Sequence, residues 1–177
     1  MANQKLTDKT ALEEQAGSGD LLMLVDVSDT SSSAQGTSKK IDFKYVIQTD
    51  KFSLNNTEVQ ALNVTAKTLV GALSGYMITP ISCTLLITYA SGTESSNNNL
   101  YFGFDTSTVL TYWDWSSRFM GGLTDDRAFM FNGTANSKGV MGGATTLNKG
   151  FYMWSNGAFN GGWTCDVYLT YAYTKVL

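Results

Sequence analysis

Apolar and polar residues alternate most clearly near the end of the chain. Trp163, Cys165, Val167, Leu169, Tyr171 and Tyr173 interleave with Thr164, Asp166, Tyr168, Thr170, Ala172 and Thr174. A period of two predicts a β-strand with one face on a core. Residues 78–89 repeat the pattern through Ile81, Cys83, Leu85, Ile87 and Tyr89. Shorter strands are predicted over 100–104, 127–131 and 151–154, set off by turns rich in Gly, Asn and Ser. Strands at this spacing predict an antiparallel β-sandwich or jelly roll over residues 77–177. Both faces of the last strand carry aromatics, so its outer face is expected to meet a neighbouring subunit.

The front of the chain is patterned differently. Gly17-Ser18-Gly19 precedes a continuous apolar run, Leu21-Leu22-Met23-Leu24-Val25, of strand length. Residues 28–36 are a Ser/Asp/Gly-rich loop. Residues 36–43 are predicted to return as a second strand with Ile41 and Phe43 on one face, and residues 44–47 as a short helical turn. Residues 51–76 read as a connector or stalk. There Val59, Leu62, Ala66, Leu69 and Leu73 follow heptad spacing. Against a helix, Asn55, Asn56, Thr57, Asn63, Val64, Thr65, Thr68 and Val70 prefer turns or strands. Short β segments and a helix both remain open here, with composition on the β side.

Composition sharpens this division. Residues 1–60 hold nine acidic groups and six lysines but three of the 22 aromatics, whereas residues 61–177 hold 14 of the 17 glycines. The reading is an all-β chain of three parts: a β-hairpin anchor module over 1–50, a connector over 51–76, and a distal β-sandwich head over 77–177. An anchor with so few aromatics buries little surface alone, so it is expected to need a partner surface. Charged residues are 15% of the 177, against roughly 25% in ordinary soluble domains. The formal net charge of −3 argues against a basic face for nucleic acid. No apolar run is long enough to cross a membrane as a helix. The first residues lead into no signal-type run, so synthesis in a cytoplasm is expected. Cys83 and Cys165 are then expected to be reduced core residues.

The chain has no histidine. This excludes Ser-His-Asp and Cys-His nucleophiles and most zinc or copper sites. Asp125 and Asp126 are adjacent, and adjacent strand residues face opposite ways, so they read as a solvated turn rather than a carboxylate dyad. No catalytic residue, metal site or cofactor is expected. Residues 142–149 lack the Gly-Lys-Ser/Thr ending of a phosphate loop and read as a hairpin or loop. Tyr112-Trp113-Asp114-Trp115 is the suggestive cluster. Trp113 and Trp115 offer rings to sugar C–H faces, and Asp114 offers a carboxylate to hydroxyls. The competing reading packs these rings in the core or at a subunit contact.

The N-terminal residues resemble a module of bacterial-virus structural proteins: head fibres, capsid spikes and tail fibres of phages. The resemblance lies in Leu6-Thr7-Asp8, in Gly19-Asp20-Leu21-Leu22-Met23-Leu24-Val25-Asp26-Val27-Ser28-Asp29, and in Gly36-Thr37-Ser38-Lys39-Lys40-Ile41-Asp42-Phe43. It implies a virion-attachment role for Asp20, Leu21, Leu22, Val25, Asp26, Lys39, Lys40, Ile41 and Phe43, and trimeric assembly. The expectation is a homotrimeric fibre or spike of a virion, docked on a phage capsid protein in preference to a tail protein. Its head would face host-surface glycans. The alternative is a free carbohydrate-binding module without a particle.

Overall fold

The computed structural model of the chain describes residues 21–31, 34, 37–42, 46–104, 111–115, 121–132 and 146–176. The chain divides into two compact units, Met1–Val46 and Ile47–Leu177.

In the first unit, strand β1 (Leu21–Asp26) pairs antiparallel with β2 (Thr37–Asp42), from Leu21 opposite Asp42 to Asp26 opposite Thr37. Both predicted strands are present. Asp26 organises the turn: its Oδ1 accepts from the Ser28 backbone N–H at 3.0 Å and the Ser28 hydroxyl at 2.6 Å. This is the local bonding that makes Asp a turn residue.

Among the described residues the second unit is a jelly roll of eight strands. Its strands are β3 (Gln48–Leu54), β4 (Lys67–Val70), β5 (Tyr76–Tyr89), β6 (Leu100–Gly103), β7 (Thr111–Trp115), β8 (Arg127–Asn132), β9 (Phe151–Ser155) and β10 (Trp163–Lys175). One sheet has the order β3-β10-β5-β8 and the other β4-β9-β6-β7, with every neighbour antiparallel. The all-β sandwich expected from the alternation is the observed fold. The core lies between the sheets, where Phe102, Phe151, Trp163, Leu85, Leu100 and Leu169 are fully buried. Cys83 and Cys165 are free and buried in it, as expected. Pro80 lies inside β5 opposite Tyr171, where the register with β10 shifts. A residue without an N–H is tolerated at such an irregularity.

The connector over 51–76 is corrected. These residues are not a stalk but part of the sandwich: β3 pairs with β10, and β4 with β9. The helix-or-strand question resolves into both. A short helix, α1 (Asn56–Gln60), stands between the two strands. Asn55 Oδ1 accepts from the Glu58 N–H and Glu58 Oε2 accepts from the Asn55 N–H, a capping box that starts the helix despite its poor formers. Val59, Leu62 and Leu69 are buried because they join the core of the sandwich, Leu69 from strand β4, not because they line a bundle.

Gly162 shows how tightly the loops close on this end. Its φ is +82°, and a Cβ there would collide with the Ser91 carbonyl oxygen. Its own carbonyl accepts from the Ala90 and Ser91 N–H groups. Gly162→Ala is expected to lose about 3 kcal/mol by forced strain and displaced backbone. Urea unfolding checks this; a loss below about 0.5 kcal/mol would mean that the turn relaxes freely.

Candidate functional site

The attachment residues implied by the resemblance fall on the β1–β2 hairpin, apart from Asp20 and Phe43, which lie outside the described residues. A strand alternates faces, so the continuous apolar run of β1 puts apolar positions on both faces of the ribbon. β2 reads Thr-Ser-Lys-Lys-Ile-Asp and brings one apolar position, Ile41, against them. A two-stranded ribbon cannot bury both of its own faces. Leu21, Leu22 and Val25 are held opposite Asp42, Ile41 and Ser38.

Charge gathers at the turn end of the hairpin. Lys39 Nζ donates to Asp29 Oδ2 as an ion pair. That contact, followed by bonds from Ser31 and Thr37, brings the Asp29 carboxyl down to about 2. Asp26 is also held below its usual range, chiefly by the Ser28 hydroxyl. Lys40, one residue on, is exposed and falls on the opposite face. Among the described side chains of the hairpin, the Lys39–Asp29 ion pair thus lies beside an exposed Lys40.

The tryptophan cluster is corrected in part. Trp113 is 3% exposed and cannot stack on a sugar in this chain. Its ring lies 5.0 Å from Tyr112, 5.9 Å from Phe151, 6.0 Å from Phe131 and 6.1 Å from Phe102, mostly edge to face. The sandwich places alternate residues of β7 inward, and Trp113 takes such a position. Asp114 is half-buried opposite Tyr101, and Trp115 holds its β7 position opposite Leu100, with its ring outside the description. Trp154 and Trp163 are buried as well.

The structure brings forward a residue the sequence reading passed over. Glu94 is 1% exposed. Its Oε1 accepts from the N–H groups of Ser96 at 3.0 Å and Asn160 at 3.1 Å. Its Oε2 accepts from the Gly161 N–H at 3.2 Å and the Trp163 indole N–H at 3.1 Å. Burial pushes this carboxyl up, but the bonds from Ser96, Trp163 and Asn160 together outweigh it and hold the group below the usual carboxylate range. Asn160 completes the knot, its Oδ1 accepting from the Ser95 and Ser96 N–H groups. Glu94 thus ties the loop after β5 to the loop before β10. One sequence signal marks it: no other charge lies between Lys67 and Asp105.

Asp125 pairs with Arg127, while Asp126 accepts from the Tyr89 N–H, so the two carboxylates serve different partners. Burial pushes both thiols up to about 12, which suppresses thiolate formation. A 180 Å³ cleft beside α1 is lined by Leu54, Ala61, Leu62 and Ala66, with the Glu58–Lys67 ion pair at 2.7 Å among its walls.

No protein-family model matches the chain, and no curated protein matches it. Among solved structures it is similar to a chain of the cyanophage Pam1 capsid asymmetric unit, at 12% identity and TM-score 0.41, over 98% of this chain and 99% of that one. It is also similar to a chain of the Kashmir bee virus native virion at acidic pH, at 9% identity and TM-score 0.29, over 95% and 96%. A chain of Israel acute paralysis virus follows at 8% identity and TM-score 0.26, over 93% and 94%. Likenesses this remote carry no argument about function.

Proposed function

We propose that this chain is a structural component of a bacterial virus particle, a trimeric fibre or spike that docks on the capsid through its first unit and carries the jelly roll outward. The observation that carries the reading is the division of the chain. A hairpin whose first strand is a continuous apolar run is joined to a sandwich that has its own core. The first is suited to a partner surface, the second to standing alone. The phage-like residues Leu21–Asp26 and Thr37–Asp42 form the two strands of this hairpin. The proposed activity is adhesive and mechanical rather than enzymatic. Contact with host glycans, if the head makes it, must use side chains other than Trp113.

Removing residues 1–46 tests the reading. The truncated head is expected to keep the β-sheet circular dichroism and cooperative melting of the full chain and to lose co-sedimentation with particles. A truncated head that still binds particles would place docking in the jelly roll. Full-length protein that binds immobilised glycans as a stable monomer would favour a free carbohydrate-binding module.

A further inference from the structure

We infer that the 180 Å³ cleft beside α1 binds one neutral sugar residue of the 6-deoxyhexose class, its methyl inward and its hydroxyls at the mouth. The inference rests on the reading of the jelly roll as an outward head, and it supplies a glycan contact that the buried Trp113 cannot make.

The cleft changes character with depth. Leu54 and Leu62 are buried, and Ala61 and Ala66 are half-buried beside them, so the inner end is aliphatic. Thr57 and Thr65 are exposed. The side chains of Lys67 and Glu58 keep 29% and 40% of their surface in water. The outer end is therefore the polar one. Sites for drug-sized ligands measure about 300–1,000 Å³. A cleft of 180 Å³ is smaller and suits a single ring.

The polar mouth selects the chemistry. Glu58 Oε2 accepts from the Asn55 N–H at 2.9 Å, and Oε1 accepts from Lys67 Nζ at 2.7 Å. Both charges are thus held in place before any ligand arrives. An ammonium has three N–H bonds, and each carboxylate oxygen has two lone pairs. The pair can donate and accept further while staying intact. Neighbouring sugar hydroxyls do both in return. An anion would meet Glu58, and a cation would meet Lys67, each at a like charge. A wholly apolar ligand would strip water from both charges without replacing its hydrogen bonds.

The aliphatic end narrows the class. The described lining holds no aromatic ring on which a sugar face could stack. Leucine and alanine walls suit a methyl group instead. A 6-deoxyhexose carries a methyl on one side of its ring and hydroxyls on the other. Its 6-hydroxy parent would bury an unpaired hydroxyl against the leucines.

The test is a ligand-observed NMR titration of the full-length protein. The probes are the methyl glycosides of L-rhamnose and L-fucose and of their 6-hydroxy parents, L-mannose and L-galactose. At least one 6-deoxy sugar is expected to bind, at least about tenfold more tightly than its own parent. Ala66→Leu fills the cleft, leaves the ion pair in place and is expected to abolish that binding with an unchanged melting midpoint. Ala61→Leu is expected to do the same from the helix side. Lys67→Met keeps the walls and is expected to weaken binding at least about fivefold. Equal affinity for deoxy sugar and parent, or binding that survives either leucine or Lys67→Met, would overturn this site and leave the head to bind sugar elsewhere. Absence of binding by all four probes would overturn the inference outright. Docking is read separately, by co-sedimentation of the protein lacking residues 1–46, so a failed sugar site and a failed virion reading give different results.

Discussion

Glu94→Ala is expected to destabilise the head by about 4 kcal/mol. The carboxylate receives four N–H donors, three of them backbone, at a position almost closed to water. Alanine leaves those donors facing a cavity, and each buried unpaired donor costs about 1–3 kcal/mol, partly relieved where water enters. Glu94→Gln is expected to cost less, about 2–3 kcal/mol, because one oxygen still accepts while the new amide N–H₂ faces two donors. The sign with pH follows from the lowered carboxyl. The folded state binds the Glu94 proton less readily than the unfolded chain, so its contribution is complete above the unfolded value of 4.5 and is lost as pH falls through the folded one. Urea midpoints from pH 7 down to pH 3 should thus fall less steeply for Glu94→Gln than for wild type. Equal slopes, or a neutral-pH loss under 1 kcal/mol for Glu94→Ala, would refute the assignment.

Trp113→Ala is expected to cost about 3–5 kcal/mol, the range for emptying a large aromatic site in a packed core. The ring touches both sheets: Phe102 and Phe151 on β6 and β9, and Phe131 on β8. Its removal loosens the contact between the layers, so the thermal midpoint should fall and near-ultraviolet circular dichroism should weaken. Trp113→Phe retains most of the volume and should cost less, about 1–2 kcal/mol. If Trp113→Ala instead melted like wild type and lost only ligand binding, the ring would be a contact residue and its burial in the core would be wrong.

Strands written as long alternations were legible without coordinates. β5 and β10 are 14 and 13 residues long; the period of two selects the inward residues of β10 and, in β5, Cys83, Leu85 and Ile87, but before the register shift at Pro80 the buried residues are Ile78 and Pro80 rather than Ile81. The β1–β2 hairpin was legible through its apolar run and turn residues. Short elements were not. β4 has four residues, too few for a period, and α1 is held by a capping box inside a stretch that composition assigns to turns. The stalk reading of 51–76 failed for a related reason. Val59, Leu62 and Leu69 have helical spacing by sequence, but a buried residue in a sandwich follows three-dimensional neighbours rather than one repeat.

The sequence by itself determined the fold class, the division between a polar front and an aromatic body, the buried free thiols and the absence of histidine chemistry, because these depend on residue type and local period. Tertiary structure decided which side chains share a place. It took Trp113 inward, separated Asp125 from Asp126 in their bonding, and drew Glu94 into a knot with residues more than sixty positions away. Those outcomes depend on contacts that close only when distant strands pair, and no local pattern records which loop will meet which.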